Sequence, residues 1–206
     1  MDVVLLIFDR MTVLDAVGPY EVLSRLPGAR VTLCAAEAGP VRNDSGSLAL
    51  VADAAMAEIH SADILVVPGG PGTRELMGDE SVHEWVRAID RTSRWTTSVC
   101  TGSLVLGAAG LLRGLRATGH WMARDDLAAL GATVVAERVV REGKIVTAAG
   151  VSAGIDMALS LAGWESGEEI AQAIQLLIEY DPQPPYRAGS PDQAPARVVA
   201  RLTGRS

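Results

Sequence analysis

The sequence contains little cysteine and few aromatic residues, and it lacks long apolar runs. Only two of its 206 residues are cysteines, Cys34 and Cys100, and aromatic residues make up 4%. The two cysteines are far apart and form no CxxC pair, so their spacing predicts neither a disulfide framework nor a zinc site. Hydrophobic residues make up 49%, yet no stretch approaches the length of a membrane span. We therefore expect a soluble globular protein without a metal.

Basic residues are fewer than acidic residues and form no block. The formal net charge is −7, whereas a nucleic-acid-binding protein needs a basic face. We therefore expect no nucleic-acid partner. The first residues, Met1–Phe8, lack the basic segment of a signal peptide and are typical of a β-strand. This absence favours the cytoplasm, where thiols stay reduced.

Short apolar runs alternate with helical patterns along the chain, which predicts a single doubly wound α/β domain with a mostly parallel sheet flanked by helices. We expect this domain to span residues 1–180, followed by a Pro/Gly-rich extension over 181–206 that packs on it or trails from it. The predicted strands are Val3–Phe8, Arg30–Ala36, Asp63–Pro68, Trp95–Val99 and Lys144–Thr147, with an extra hairpin near Leu48–Val51. The predicted helices are Ala16–Ser24, Ser81–Arg91, Thr101–Ala109, Met122–Leu130, Ala153–Ala162, Glu165–Glu179 and Ala196–Leu202.

The most informative segment surrounds Cys100. A short strand from Trp95 to Val99 is followed by an apolar helix from Thr101 to Ala109. The first N–H groups of a helix have no partner within it, and the helix dipole places partial positive charge there. A cysteine at this junction tends towards thiolate, and the pattern resembles the nucleophile elbow of serine hydrolases. We therefore favour a nucleophile over the alternative, a buried core cysteine.

A glycine-rich loop and an acid are predicted at the same edge of the sheet. The loop Val66-Val-Pro-Gly-Gly-Pro-Gly72 follows a strand; it either presents backbone N–H groups to an anion or forms only a tight turn. Asp15 follows the first strand at a predicted helix start. It is either a helix N-cap or an acid that exchanges protons beside a thiol. Glu21 is the other carboxylate candidate.

Three further residues have less distinctive surroundings. His120 is either the base of a Cys–His pair or, as we favour, a hydrogen-bonded structural histidine. Tyr180 ends the amphipathic helix and is either a capping aromatic or a phenol delivered to the site. Cys34 lies in an apolar strand and is expected in the core.

Several motifs together resemble the ThiJ/PfpI superfamily, and within it the isonitrile hydratase branch. Because the last of them reaches Tyr186, the similarity spans nearly the whole chain. The resemblance implies a flavodoxin-like (class I glutamine amidotransferase-like) homodimer that acts on a small molecule without a cofactor. The motifs are Leu14-Asp-x-x-Gly-Pro-Tyr-Glu21, Pro68-Gly-Gly-Pro-Gly72, Ser98-Val-Cys-Thr-Gly-Ser103, Ala117-Thr-Gly-His-Trp121, Ala149-Gly-Val-Ser-Ala-Gly-Ile-Asp156 and Gln175-Leu-Leu-Ile-Glu-Tyr-Asp-Pro-Gln-Pro-Pro-Tyr186.

The resemblance also implies an activity and the residues that carry it. The expected reaction is hydration of an isonitrile to an N-substituted formamide through a covalent thioimidate on Cys100. Asp15 matches the acid near the thiol, and Thr101 matches the residue that follows the nucleophile. The backbone amides of Gly70 and Thr101 match an anion-stabilising pair. Tyr180 matches a phenol that supports the acid.

Three other classes of function stay open at this point. Protease-like and glyoxalase-like relatives often have a histidine after the cysteine or a glutamate on the first loop, where this chain has Thr101 and Asp15. A redox or carbonyl-stress protein also needs a reactive cysteine. A ligand-sensing regulatory domain is the third alternative, although the roughly 25 residues after Tyr180 are too few and too proline-rich for a helix-turn-helix. The chain departs from the branch at Gly119, where threonine is usual, and at Asp9-Arg10, where Pro-Gly is common.

Overall fold

Apolar β-strands form the centre of the molecule. The computed structural model describes residues 1–204. Within them the strands are β1 (Asp2–Leu6), β2 (Arg30–Ala35), β3 (Gly39–Arg42), β4 (Ala49–Ala52), β5 (Ala54–Ala55), β6 (Ile64–Val67), β7 (Trp95–Val99), β8 (Arg116–Ala117), β9 (Thr133–Val134), β10 (Val139–Glu142) and β11 (Ile145–Ala148). The helices are α1 (Val13–Leu23), α2 (Thr73–Leu76), α3 (Glu80–Thr92), α4 (Gly102–Ala108), α5 (Arg124–Ala129), α6 (Ala153–Ser166), α7 (Glu168–Leu177) and α8 (Ala196–Thr203).

Seven strands form one sheet in the order β10-β11-β7-β6-β1-β2-β5. All neighbouring pairs are parallel except β10 with β11. Strands β6 and β7 are buried along their whole length, as expected where helices cover both faces of a parallel sheet. The carboxyl ends of β1, β6 and β7 lie at one edge, where ligands bind in open α/β sheets.

The predicted fold class is confirmed, and so are the five predicted sheet strands to within about two residues. The predicted hairpin is also confirmed, since β3 pairs antiparallel with β4. Strand β10 was not predicted because two of its four residues, Arg141 and Glu142, are charged. The chain then turns at Gly143, which has a φ of 61°, and β11 pairs antiparallel with β10.

Two of the predicted helices are interrupted in the structure, and α1 begins at Val13, before the predicted start at Ala16. The segment predicted as one helix over Glu165–Glu179 is divided: α6 continues to Ser166, and α7 begins at Glu168. Gly167 separates them with a φ of 91°, a conformation that glycine adopts without steric cost. The segment Met122–Leu130 contains a 3₁₀ turn before α5 rather than one continuous α-helix.

The C-terminal segment has little regular structure before its last helix. Residues 181–195 form no helix or strand, and α8 follows as predicted. Two residues of the expected extension, 205 and 206, lie outside the described residues. Among residues 1–204, no helix is both long and apolar enough to cross a membrane.

Candidate functional site

Cys100 occupies a strained turn between β7 and α4. Its φ is 61°, in the left-handed region that residues with a Cβ rarely adopt. Its backbone N–H donates to the carbonyl oxygens of Ala148 and Ala149, both at 3.1 Å. The strand–turn–helix geometry of a nucleophile elbow, expected from the sequence, is therefore present at this cysteine.

Glycines allow the elbow to pack directly against the glycine-rich loop. A Cβ on Gly102 would lie 2.1 Å from the carbonyl oxygen of Val67, and a Cβ on Gly69 would lie 2.5 Å from the backbone nitrogen of Thr101. Neither position has room for a side chain. The loop after β6 and the start of α4 are thus in backbone contact, which brings Cys100 beside the loop.

Asp15 is fully buried in the first turn of α1. Its Oδ2 accepts a hydrogen bond of 2.9 Å from the backbone N–H of Gly69. Its Oδ1 is also buried and accepts no hydrogen bond from an N–H or O–H group of residues 1–204. The N-cap of α1 is Thr12, so the interpretation of Asp15 as the helix cap is wrong. A buried carboxyl with one oxygen unoccupied is instead available for proton exchange.

The ionisation of Asp15 and Cys100 is coupled. Burial raises the pKa of Asp15 to about 7, and the N–H of Gly69 and the thiol of Cys100 oppose this rise by donating to the carboxylate. Burial, and then the negative charge of Asp15, raises the pKa of Cys100 to about 12. The N–H groups of Val151 and Thr101 act in the opposite direction and lower it.

The raised pKa of Cys100 argues against the expected resting thiolate. Cys100 is only 4% exposed, and desolvation of the charged form outweighs the amides that face the sulfur. Asp15 is the group that titrates near neutral pH. Because its carboxylate accepts a hydrogen bond from the thiol, it is placed to remove that proton during attack.

Thr101 connects the elbow to the glycine-rich loop. Its Oγ1 accepts a hydrogen bond of 2.8 Å from the backbone N–H of Gly70 and one of 3.2 Å from the hydroxyl of Thr73. The two amides expected to stabilise an anion thus differ: the Gly70 N–H is occupied by a side chain, while the Thr101 N–H donates to the sulfur of Cys100. Rotation of the Thr101 hydroxyl would release the Gly70 N–H.

His120 forms part of the wall of a cavity of about 230 Å³ that also contains Cys100, Gly70 and Thr101. Its Nδ1 accepts a hydrogen bond of 3.3 Å from the backbone N–H of Met122, so the proton of the neutral ring is on Nε2. Burial, and then the charge of Arg124, lowers the pKa of His120. At neutral pH this histidine is a neutral hydrogen-bond donor.

Tyr180 does not contact Asp15, contrary to the role implied by the resemblance. Its hydroxyl donates to Oδ2 of Asp156 over 3.2 Å, and Asp156 forms an ion pair with Arg138. Burial, and then the charge of Asp156, raises the pKa of Tyr180. The sequence alone does not show whether Tyr180 donates to Asp15 or to Asp156, because the acceptor depends on how α6 and the segment after α7 pack.

Two other candidates lie away from Cys100. Glu21 is exposed and pairs with Arg25 one turn further along α1. Cys34 is completely buried in β2, and burial alone raises its pKa to about 12. The prediction that Cys34 belongs to the core is confirmed.

Sequence reasoning overlooked two groups at the site. Val151 has a φ of 37° and directs its N–H to the Cys100 sulfur. The N–H of Gly69, rather than that of Gly70, holds Asp15. Both residues fall within quoted motifs, but backbone donors leave no signal in residue type. Only the tertiary arrangement identifies them.

Comparison with known proteins is consistent with this geometry. The DJ-1/PfpI family matches residues 1–163. Isonitrile hydratase of Pseudomonas putida is 46% identical over 98% of this chain and 88% of its own length. A crystal structure of a ThiJ/PfpI family protein from Pseudomonas syringae is 40% identical, covers 98% of this chain and 84% of its own, and superposes with a TM-score of 0.95. The HTH-type transcriptional regulator CdhR of Pseudomonas aeruginosa is 32% identical over 80% of this chain, which spans 49% of that protein.

Proposed function

This chain belongs to the DJ-1/PfpI family, and we propose that it is a hydro-lyase that converts an isonitrile and water into an N-substituted formamide. The observation that carries the proposal is the buried pair of Cys100 and Asp15. The pair combines a sulfur nucleophile with a carboxyl group whose pKa is about 7. Similarity to isonitrile hydratase over 98% of the chain supports this choice of substrate.

In the first step the sulfur of Cys100 attacks the terminal carbon of the isonitrile. Asp15, in its ionised form, accepts the thiol proton as the S–C bond forms. It then delivers this proton to the same carbon. The product is a thioimidate, R–N=CH–S–Cys100, and Asp15 is again ionised. Covalent catalysis divides one difficult addition into two easier steps.

In the second step water adds to the thioimidate carbon. Asp15 accepts a proton from the attacking water and passes this proton to the substrate nitrogen, which yields R–NH–CH(OH)–S–Cys100 and leaves Asp15 ionised again. Collapse of this adduct breaks the C–S bond, and the hydroxyl proton returns to the sulfur. The formamide R–NH–CHO leaves, and both residues regain their starting forms.

Backbone and side-chain donors around the cavity would stabilise charge that develops in these steps. We assign this role to the N–H of Thr101 and, after rotation of the Thr101 hydroxyl, to the N–H of Gly70. His120 contributes its Nε2–H as a donor at the cavity wall and does not act as the base of a Cys–His pair. Tyr180 supports the site only indirectly, through Asp156.

The ionisation of Cys100 argues against a resting redox sensor. Such sensors have low-pKa, accessible cysteines, whereas Cys100 is 4% exposed and its pKa is raised to about 12. Activation by Asp15 during attack on a bound electrophile fits these properties better.

We also propose that the protein works as a cytoplasmic homodimer, with residues 1–180 as the catalytic domain and 181–206 as an extension. The family resemblance supports the dimer, and the two free cysteines, Cys34 and Cys100, fit a reducing compartment. Sedimentation analysis tests the dimer: a monomer at micromolar concentration would contradict it. Fractionation of the producing cells tests the compartment.

The experiment that tests the activity is incubation of the purified protein with phenyl isonitrile, followed by mass spectrometry of the formanilide. We expect turnover by the wild type, none by Cys100→Ser, and near-normal turnover by the matched control Cys34→Ala. With heavy-oxygen water, the label should enter the formyl group. Absence of formanilide together with rapid consumption of methylglyoxal would replace this proposal with a glyoxalase-like function.

A further inference from the structure

A second cavity adjoins the one that contains Cys100. Its volume is about 430 Å³, and it shares His120 and Val151 with the smaller cavity. The smaller one, about 230 Å³, lies below the ~300–1,000 Å³ usual for small-molecule sites. The smaller cavity has room for the reacting N≡C group, and the larger cavity is the space that adjoins it at His120 and Val151.

Three charged residues line the second cavity, and they differ in whether an oppositely charged residue neutralises them. Glu137 is paired with Arg116, and Arg138 is paired with Asp156. Arg124 forms no ion pair with any other residue from 1 to 204. The cavity therefore has one uncompensated positive charge.

Part of the Arg124 guanidinium is also removed from solvent. Its Nε is buried and has no hydrogen-bond partner among the described residues. A partly desolvated cation without a counter-ion attracts an anion more strongly than an exposed one, because the local dielectric constant is lower. The charge of Arg124 also acts on the cavity that contains Cys100, because it helps to lower the pKa of His120, which lines that cavity. This positive site contrasts with a net charge of −7 for the chain.

We propose that the second cavity is the substituent subsite, and that Arg124 selects isonitriles whose substituent carries an anionic group such as a carboxylate. This inference rests on the proposed function. Trp121 offers an aromatic wall for the body of the substituent, and residues of the loop over 189–193 line the same cavity. The C-terminal extension thus contributes to the proposed subsite, because Gly189, Ser190, Pro191 and Gln193 line the cavity.

The kinetic test compares para-isocyanobenzoate with its neutral methyl ester. Intrinsic reactivity differs between them, so the measured quantity is the ratio of their kcat/KM values in each variant. We expect Arg124→Gln to lower the preference for the anion ~10-fold, the scale of one charge-assisted hydrogen bond. Arg124→Lys should retain part of it. The control Arg91→Gln changes net charge equally at the opposite edge of the sheet, at an exposed position in the last turn of α3, and should retain all of the preference.

A binding experiment separates failure of the subsite from failure of the proposed function. Calorimetry measures the affinity of the wild type and Arg124→Gln for para-formamidobenzoate and for its methyl ester, without any turnover. Tighter binding of the anion by the wild type, lost in Arg124→Gln at unchanged melting temperature, supports the subsite even where no isonitrile is hydrated. Equal binding of both compounds, or a preference that Arg124→Gln retains, overturns it.

Discussion

The backbone N–H of Gly69 donates a 2.9 Å hydrogen bond to Oδ2 of Asp15, and this contact joins the acid on α1 to the loop after β6. The two residues are 54 positions apart in the chain. Within residues 1–204, Oδ1 accepts no hydrogen bond from an N–H or O–H group, and the carboxyl group faces the thiol of Cys100. Most of the expected behaviour of the site follows from the ionisation of this one group.

The pH dependence of turnover should report Asp15. Because its carboxylate must accept the thiol proton, kcat/KM should rise with pH and level off above an apparent pKa of about 7. Asp15→Asn should lose ~100-fold or more in turnover and should lack this rise. Initial rates with phenyl isonitrile across the pH range measure both effects. A wild-type profile that falls with increasing pH would contradict the base role.

Asp15→Asn should also raise the free energy of unfolding at neutral and alkaline pH. The folded pKa of Asp15, about 7, exceeds its ordinary value of 3.8. Its contribution to stability is therefore fully present below that ordinary value and is lost as pH rises through about 7. At about pH 8, Asp15→Asn should unfold with a free energy higher by at most ~4 kcal/mol. Urea unfolding of both proteins at several pH values checks this; a variant less stable than wild type at alkaline pH would exclude buried charge as the dominant effect.

Alkylation of Cys100 reports the ionisation of its thiol independently of turnover. The negative charge of Asp15 raises the pKa of Cys100, second only to burial. Asp15→Asn should therefore shift the pH midpoint of iodoacetamide labelling at Cys100 downwards while turnover is lost. Peptide mass spectrometry follows the two cysteines separately, with Cys34 as the slow internal control. An unchanged midpoint would show that the two groups are not coupled.

Gly119, one of the departures from the branch pattern, should resist substitution. A Cβ there would lie 2.4 Å from the hydroxyl oxygen of Ser103 and 2.9 Å from the carbonyl oxygen of Cys100. Gly119→Ala should cost ~1–3 kcal/mol of stability, and Ser103→Ala in the same chain should recover part of it. Gly189, whose Cβ would contact nothing within 4 Å, is the control. Thermal unfolding measures all of these variants; an unaffected Gly119→Ala would mean that the site relaxes freely.

Tyr180→Phe should have little effect on the pH profile. The phenol donates to Asp156, not to Asp15, so its removal leaves the catalytic carboxyl unchanged. We expect kcat/KM to stay within ~3-fold of wild type, because the lost hydrogen bond does not involve Asp15. A shifted apparent pKa in the rate profile would restore the direct role implied by the family resemblance.

The sheet and its elements were predictable because their signals are local. Apolar strand segments such as Trp95–Val99 and the alternation with helices depend on residue type at short range. The nucleophile elbow at Cys100 was predictable for the same reason: a strand, one cysteine, small residues and a helix follow one another in sequence. The break between α6 and α7 at Gly167 was not predicted, because the apolar pattern continues across this residue. Its φ of 91° is a property of packing.

The sequence by itself identified Cys100 as the proposed nucleophile, but the tertiary structure decided the ionisation state of its thiol. The identity of Cys100 follows from contiguous residues, whereas its pKa depends on burial and on a carboxylate 85 positions away in the chain. The sequence suggested a thiolate because a helix begins next to Cys100; the folded chain places the thiol in a desolvated site against Asp15. Desolvation and Coulomb energy depend on three-dimensional distance, and no local pattern encodes that distance.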